Sequence, residues 1–231
     1  MRVYKFGGAS VKDADAVRNV VKVLKEVGYE NTLLVVSAMG KTTNAMEDII
    51  NAYFNDKKDI PSKISEMVDY HLDIVTELFP NSQHPIYKEI KILVGITNNW
   101  LDVRNYIKTN SSYRDTTVNW ERTQENVAKI DQKVLNITQG FLGSDDNNFT
   151  TTLGREGSDY TAAILAFCLN ADSVTIWKDV PGVLNADPRY FKETQLLNNI
   201  SYREAIELAF YGASVIHPKT LQPLQRNSVT R

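Results

Sequence analysis

The sequence predicts an α/β protein built on a parallel sheet, and three stretches carry that prediction. Residues 1–54 run strand, loop, helix, strand, loop, helix, the order that builds parallel sheets. Residues 32–37 are almost continuously apolar, as in a strand covered on both faces. Residues 150–163 pass from three threonines through a glycine loop, Leu153-Gly154-Arg155-Glu156-Gly157, into a helix of small residues. A chain of 231 residues can bury one full core of this kind.

In order, residues 2–6 predict a first strand, and Gly7-Gly8-Ala9-Ser10 a turn. Residues 13–28 predict a helix, because Val17, Val20, Val21, Leu24 and Val27 share one face and Gly28 suits its end. Residues 39–44 predict a loop, and 45–54 a second helix. Pro61 suits a helix start, and Ile64, Met67, Val68, Leu72, Val75, Leu78 and Phe79 repeat at helical spacing behind it. A break at 80–85 precedes a helical pattern at 86–94, which Gly95 interrupts. Strands are predicted at 99–103 and 134–139, a helix at 123–132, and polar loops at 109–117 and 143–148. Ser158-Asp159 read as the cap of a helix over 162–169. A strand at 173–177, a turn-rich loop at 178–189, a helix at 202–211, an extended pair at Val215-Ile216 and a helix at 218–226 complete the chain.

Composition excludes several classes. Hydrophobic content of 42% and charged content of 23% are those of a soluble globular protein. A net charge of -2 leaves no basic footprint for nucleic acid or an anionic membrane. Cys168 is the only cysteine, in an apolar run that makes it a small hydrophobe, and His71, His84 and His217 are too scattered for a zinc motif. Without a signal sequence or a transmembrane-length run, a cytoplasmic protein is expected.

Four motifs carry chemistry. Lys5-Phe6-Gly7-Gly8 puts an ammonium and two permissive backbone positions at a strand end, which suits a phosphate or an ordinary turn. Ser37-Ala38-Met39-Gly40-Lys41-Thr42-Thr43-Asn44 imitates a Walker A ending, but Val35 stands where its first glycine belongs. It remains either a ligand loop or a connector. Gly-x-Gly-x-x-Gly is absent, so a Rossmann cofactor site has no support. Residues 150–163 offer an anion site at a helix N-terminus, with Arg155 as a fork, or else a plain turn and cap. Lys178-Asp179 and Asp187-Pro188-Arg189 are either phosphate contacts or solvated turns.

Together these motifs resemble the aspartate kinases of the amino acid kinase superfamily. Residues 5–11 are similar to the family's N-terminal signature, with Ala9 where threonine is usual. Residues 37–44 resemble its second loop. Gly140-Phe141-Leu142-Gly143 and 150–163 resemble its most specific motif, with Glu156 replacing a usual glycine. Residues 178–189 and 212–218 resemble its nucleotide half.

The resemblance implies a three-layer α/β/α sandwich with a mostly parallel sheet. It also implies transfer of the γ-phosphate of ATP to the β-carboxylate of L-aspartate, the entry to lysine, threonine and methionine synthesis. ATP would be the co-substrate, with Mg2+ held mainly by its phosphates, and a homodimer is implied as well. Lys5 and Asp159 would be catalytic, Asp159 orienting Lys5. The ATP site would comprise Lys5, Phe6, Gly7, Gly8, Ser10, Lys178, Asp179, Leu184, Arg189, Ser214 and Lys219. The substrate site would comprise Ser37, Thr43, Arg155, Glu156, Gly157 and Ser158, with Arg155 forked onto the α-carboxylate. The family's helix bearing a Gly-Glu pair, expected just before Trp100, has no counterpart in 92–99, so the kinase domain at 1–231 reads as incomplete near 95–96. A break in Cα spacing beyond about 3.8 Å is therefore predicted within 94–98. The family's last kinase strand and its regulatory ACT domains would lie past Arg231. Two other readings stay open: another superfamily kinase, and a nucleotide-binding fragment without catalysis.

Overall fold

The structure, a computed structural model, describes residues 1–81, 99–114, 116–213 and 215–226. The helical pattern at 86–94 and the break predicted within 94–98 lie outside them.

Five strands form one parallel sheet in the order β3-β4-β2-β1-β7. They are β1 (Arg2–Phe6), β2 (Thr32–Val36), β3 (Asn99–Leu101), β4 (Asn136–Gln139) and β7 (Ser173–Trp177). Side chains alternate across β1. Val3 joins a core with Leu33, Val35 and the helix α5 (Gly157–Cys168). Tyr4 and Phe6 join the opposite core with Leu34, Ile137 and α1 (Ala14–Val27). Both faces are therefore covered, which explains the unbroken apolar run of β2. On the α5 side, α4 (Trp120–Val127) and α7 (Pro218–Arg226) complete the layer through Val127 and Leu224. On the other side α3 (Ile60–Leu78) packs against both α1 and α2 (Thr42–Asn55). This is an α/β/α sandwich.

Local chemistry sets the element ends. The Asp13 carboxylate accepts the Ala16 amide at 2.8 Å and starts α1, and Gly28 at φ +82° ends it. Ser201 and Glu204 form a reciprocal capping box at the start of α6 (Tyr202–Phe210). β3 stops at Leu101 because the Asp102 carboxylate accepts the Arg104 amide and opens a 3-10 turn over Val103–Asn105.

Several expectations shift. Helices α2 and α4 each start three residues earlier than their apolar periodicity suggests. No strand forms at Val215-Ile216. The acidic loop at 143–148 is largely the turn of a hairpin, β5 (Leu142–Ser144) with β6 (Thr150–Thr152). The Asp145 carboxylate accepts the Asn147 and Phe149 amides, and Asn148 takes φ +62°. Buried Lys108 donates to Ser144 Oγ at 2.8 Å and Asn148 Oδ1 at 3.2 Å, which pins that turn from below.

Candidate functional site

Register decides where the loops emerge. Phe6 pairs with Val36 on one side and Trp177 on the other, and Val36 pairs with Gln139. The turns after β1, β2, β4 and β7 therefore leave the same edge of the sheet. β1 is the switch point: the chain leaves it for β2 through α1 on one face, while α5 leads to β7 on the other. Ligands of open parallel sheets bind at that place.

A cleft of about 800 Å³ opens there. Its walls include Lys5, Gly8, Ser37, Thr43, Glu156, Gly157, Ser158, Asp159 and Lys178. Its floor is Lys5, on the α5 face of β1. Lys5 Nζ lies 2.6 Å from Asp159 Oδ1, and Lys178 Nζ lies 2.8 Å from Asp159 Oδ2. Asp159 is 2% exposed and Lys5 6% exposed. One buried carboxylate thus holds two ammonium groups, one from each neighbouring strand end. Lys178 also donates to the Val215 carbonyl at 2.5 Å and lies 3.6 Å from Glu156 Oε2.

The first turn of α5 begins at Gly157, so Ser158 and Asp159 sit inside it rather than capping it. Glu156 occupies the cap position in the left-handed region, φ +53°, and its side chain does not cap. Its carboxylate instead accepts the His217 amide at 2.9 Å. Glu156 thus stands on the cleft wall with its carboxylate turned toward the His217 amide and Lys178. Gly140 lets α5 come close: a Cβ there would lie 2.7 Å from Ser158 Cβ. Phe141 beside it holds φ +78°, rare for an aromatic residue, with its amide donating to Thr161 Oγ1 at 2.9 Å. Gly8 meets the second loop: its Cβ would lie 2.8 Å from the Ala38 carbonyl, and the Gly40 amide donates to the Gly8 carbonyl at 3.1 Å.

Other predicted residues stand apart. The Phe6 side chain is 2% exposed and stacks on Trp177 within the α1-side core, so only its backbone borders the site. Gly7 lies beside Lys5 Nζ, and the Ser10 amide donates back to the Gly7 carbonyl. Arg155 is exposed at the loop tip, outside the cleft wall. Asp179 is exposed; Leu184 bridges to Leu196; Arg189 is exposed and pairs with Asp187 at 2.7 Å. Lys219 donates to the Leu153 carbonyl at 3.3 Å and lies over the Tyr160 ring. Ser214 is outside the described residues. Met39, His71, Gln139 and Trp100 also line the cleft, though sequence reasoning gave none of them a role there. Met39 lies inside the second loop motif, whereas His71, Gln139 and Trp100 belong to no glycine motif and only the fold brings them to this edge.

Among the described residues no group of three carboxylate, imidazole or thiol side chains could hold a metal ion. Asp159 and Glu156 are committed to lysines. No helix among them is long and apolar enough to cross a membrane.

The model of the amino acid kinase family matches residues 1–230. The chain is 33% identical to lysine-sensitive aspartokinase 3 of Escherichia coli K12 over 270 aligned positions, covering 98% of this chain and 60% of that protein. It is 30% identical to the chloroplastic bifunctional aspartokinase/homoserine dehydrogenase of Daucus carota, covering 98% of this chain and 30% of that one. The chain thus spans about a third to three fifths of these relatives. The 270 aligned positions exceed the 231 residues here, so the E. coli protein carries residues that face none in this chain. The fold superposes on E. coli aspartokinase III in complex with aspartate and ADP with a TM-score of 0.86 at 29% identity, covering 98% of this chain and 60% of that one.

Proposed function

This chain belongs to the amino acid kinase family, and we propose that it is an aspartate kinase catalytic domain, transferring the γ-phosphate of ATP to the β-carboxylate of L-aspartate. The observation that carries this reading is the buried Lys5–Asp159–Lys178 chain at the sheet edge, between the Gly7-Gly8 turn and the start of α5. The E. coli neighbour, captured with aspartate and ADP, supports the choice of substrates.

The chemistry asks little of the protein beyond placement and charge. An aspartate carboxylate is ionised at neutral pH and needs no general base. The enzyme must bring two anions together and stabilise charge on the phosphoryl oxygens. In this reading Lys5 and the Gly7 and Gly8 amides hold the transferring phosphoryl group, and Asp159 aims Lys5. Lys178 meets the nucleotide phosphates. Ser37, Thr43 and Ser158 contact aspartate, and Arg155 closes onto its α-carboxylate from the loop tip. Mg2+ enters with ATP on the phosphates; among the described residues the carboxylates lining the cleft, Asp159 and Glu156, face lysines.

The test is hydroxylamine trapping of the aspartyl phosphate together with ADP release. Aspartate-dependent hydroxamate is expected. ADP release without hydroxamate, or with another acceptor preferred, overturns the aspartate assignment. A second reading, a nucleotide-binding domain without transfer, draws on the residues of the E. coli relative that have no counterpart here. Saturable ATP binding with no product would favour it.

A further inference from the structure

We propose that His71 is a positioning residue for this site: it clamps the loop after β2 to α3 and so sets where Thr43 and its neighbours meet the substrate. The inference rests on the aspartate kinase reading for its substrate, but the clamp is read from geometry alone.

His71 lies near the middle of α3, and its ring reaches the cleft wall that also holds Ser37, Met39 and Thr43. Both ring nitrogens are engaged. Nδ1 lies 2.7 Å from the Met67 carbonyl, one turn back on the same helix, so it carries a hydrogen and its donation fixes the ring orientation. Nε2 lies 3.2 Å from Thr42 Oγ1. With the ring hydrogen on Nδ1, Nε2 accepts, so the one Thr42 hydroxyl hydrogen is divided between Nε2 and the Met39 carbonyl, which lies 2.5 Å from Oγ1. The result is a link from the Met67 carbonyl of α3 through the His71 ring to the side chain of Thr42, where the loop enters α2.

The loop needs such a tie. Thr42 opens α2 after Lys41, a residue that supplies no side-chain cap. Gly40 takes φ +49°, a left-handed conformation. The neighbouring Tyr70 grips the other side: its hydroxyl donates to the Lys12 carbonyl and lies where a Cβ on Gly40 would stand. Tyr70 and His71 together therefore hold the loop between the β1 turn and α3. Across the cleft stands the first turn of α5, which is fixed by Gly140 and Thr161. His71 is the matching fixture on the opposite wall.

Three variants test this: His71→Ala, Thr42→Val and the double variant, with His71→Gln as the conservative rescue. Loss of one net hydrogen bond is worth up to about tenfold. Each single variant should raise KM for aspartate about tenfold, leave KM for ATP within twofold, and retain the melting temperature of a folded protein. The double variant should be no worse than either single one, because both cut the same link. His71→Gln, which keeps a donor, should recover part of the loss. Hydrogen exchange gives a readout that needs no activity. The amides of Gly40, Thr42 and Ala45, bonded to Gly8, Met39 and Lys41 carbonyls, should exchange faster in His71→Ala while those of α3 keep their protection. Unchanged loop exchange overturns the clamp whatever the kinetics show. Additive losses, or a uniform fall in kcat tracking reduced stability, overturn the positioning role. A wild-type protein that fails to phosphorylate aspartate sinks the functional reading, and loop exchange still decides the clamp.

Discussion

Asp159 is the residue on which the site turns. It is buried, and its partners are the ammonium groups of Lys5 and Lys178. Removing one member of a buried ion pair leaves uncompensated charge, at a cost of about 3–5 kcal/mol. Asp159→Ala is accordingly expected to lower unfolding free energy by about that amount in urea titrations and to abolish phosphoryl transfer. Arg155 is the opposite case. It is exposed and lies outside the cleft wall, so Arg155→Ala should leave stability within about 0.5 kcal/mol. If Arg155 closes onto the α-carboxylate, the same change should raise KM for aspartate at least about tenfold, since a charged hydrogen bond is worth about 1.5–3 kcal/mol. A flat KM would remove Arg155 from the site. Cys168 is half-buried, and that burial pushes its thiol up to about 12, which disfavours the reactive thiolate at neutral pH. Ellman's reagent should label it at neutral pH only after unfolding. The folded thiol holds its proton above the unfolded value of about 8.5, so stability should fall as pH rises from there toward 12 and be indifferent to this group below it.

At the scale of elements, the approach of α5 to the β4 end decides whether a site exists. Gly140 touches the Ser158 backbone and side chain, and an added methyl would lie 2.7 Å from Ser158 Cβ. Gly140→Ala should therefore push the first turn of α5 outward, costing about 1–3 kcal/mol by overpacking. Asp159 should then lose its aim on Lys5, and kcat should fall more than stability alone explains. Steady-state kinetics beside a denaturation curve would separate the two effects. A drop in stability with kcat intact would mean that α5 tolerates the shift.

For the molecule as a whole, the site joins parts that are far apart in sequence: β1, the loop after β2, α5 and the end of β7. A ligand bridging them should stabilise the native state through mass action, by about 2.7 kcal/mol at a hundred times its dissociation constant. Mg-ATP should thus raise the melting temperature in a concentration-dependent way, and aspartate should add to it. No shift with either ligand at millimolar concentration would count against binding in this cleft. The chain covers 60% of the E. coli protein whose structure it matches, so these expectations concern the unit described and not its longer relatives.

Much of this was written in local sequence. Periodicity, caps and glycines specify β1, α1, β2, α3 and β7 because each depends on neighbours within a few residues. The ordered motifs point to the site for the same reason: a glycine turn, an arginine tip and a helix start are local chemistry. Local reading failed where long-range partners decide. The polar run at 143–148 belongs mostly to a hairpin turn because Asp145, Asn148 and buried Lys108 close it. The contacts of Glu156 with the His217 amide and Lys178 could not be read from sequence, because both partners come from other parts of the chain. Strand alternation sends the Phe6 ring into the α1-side core, which leaves its backbone to border the site. His71 carried no motif, and only the packing of α3 beside the β2 loop gives its Nε2 a partner. Local sequence specifies most of the elements and the chemistry they can carry. The tertiary structure decided which side chains face which, because strand register and helix approach are set by contacts between residues more than a hundred positions apart, as in the pair of Lys5 with Asp159.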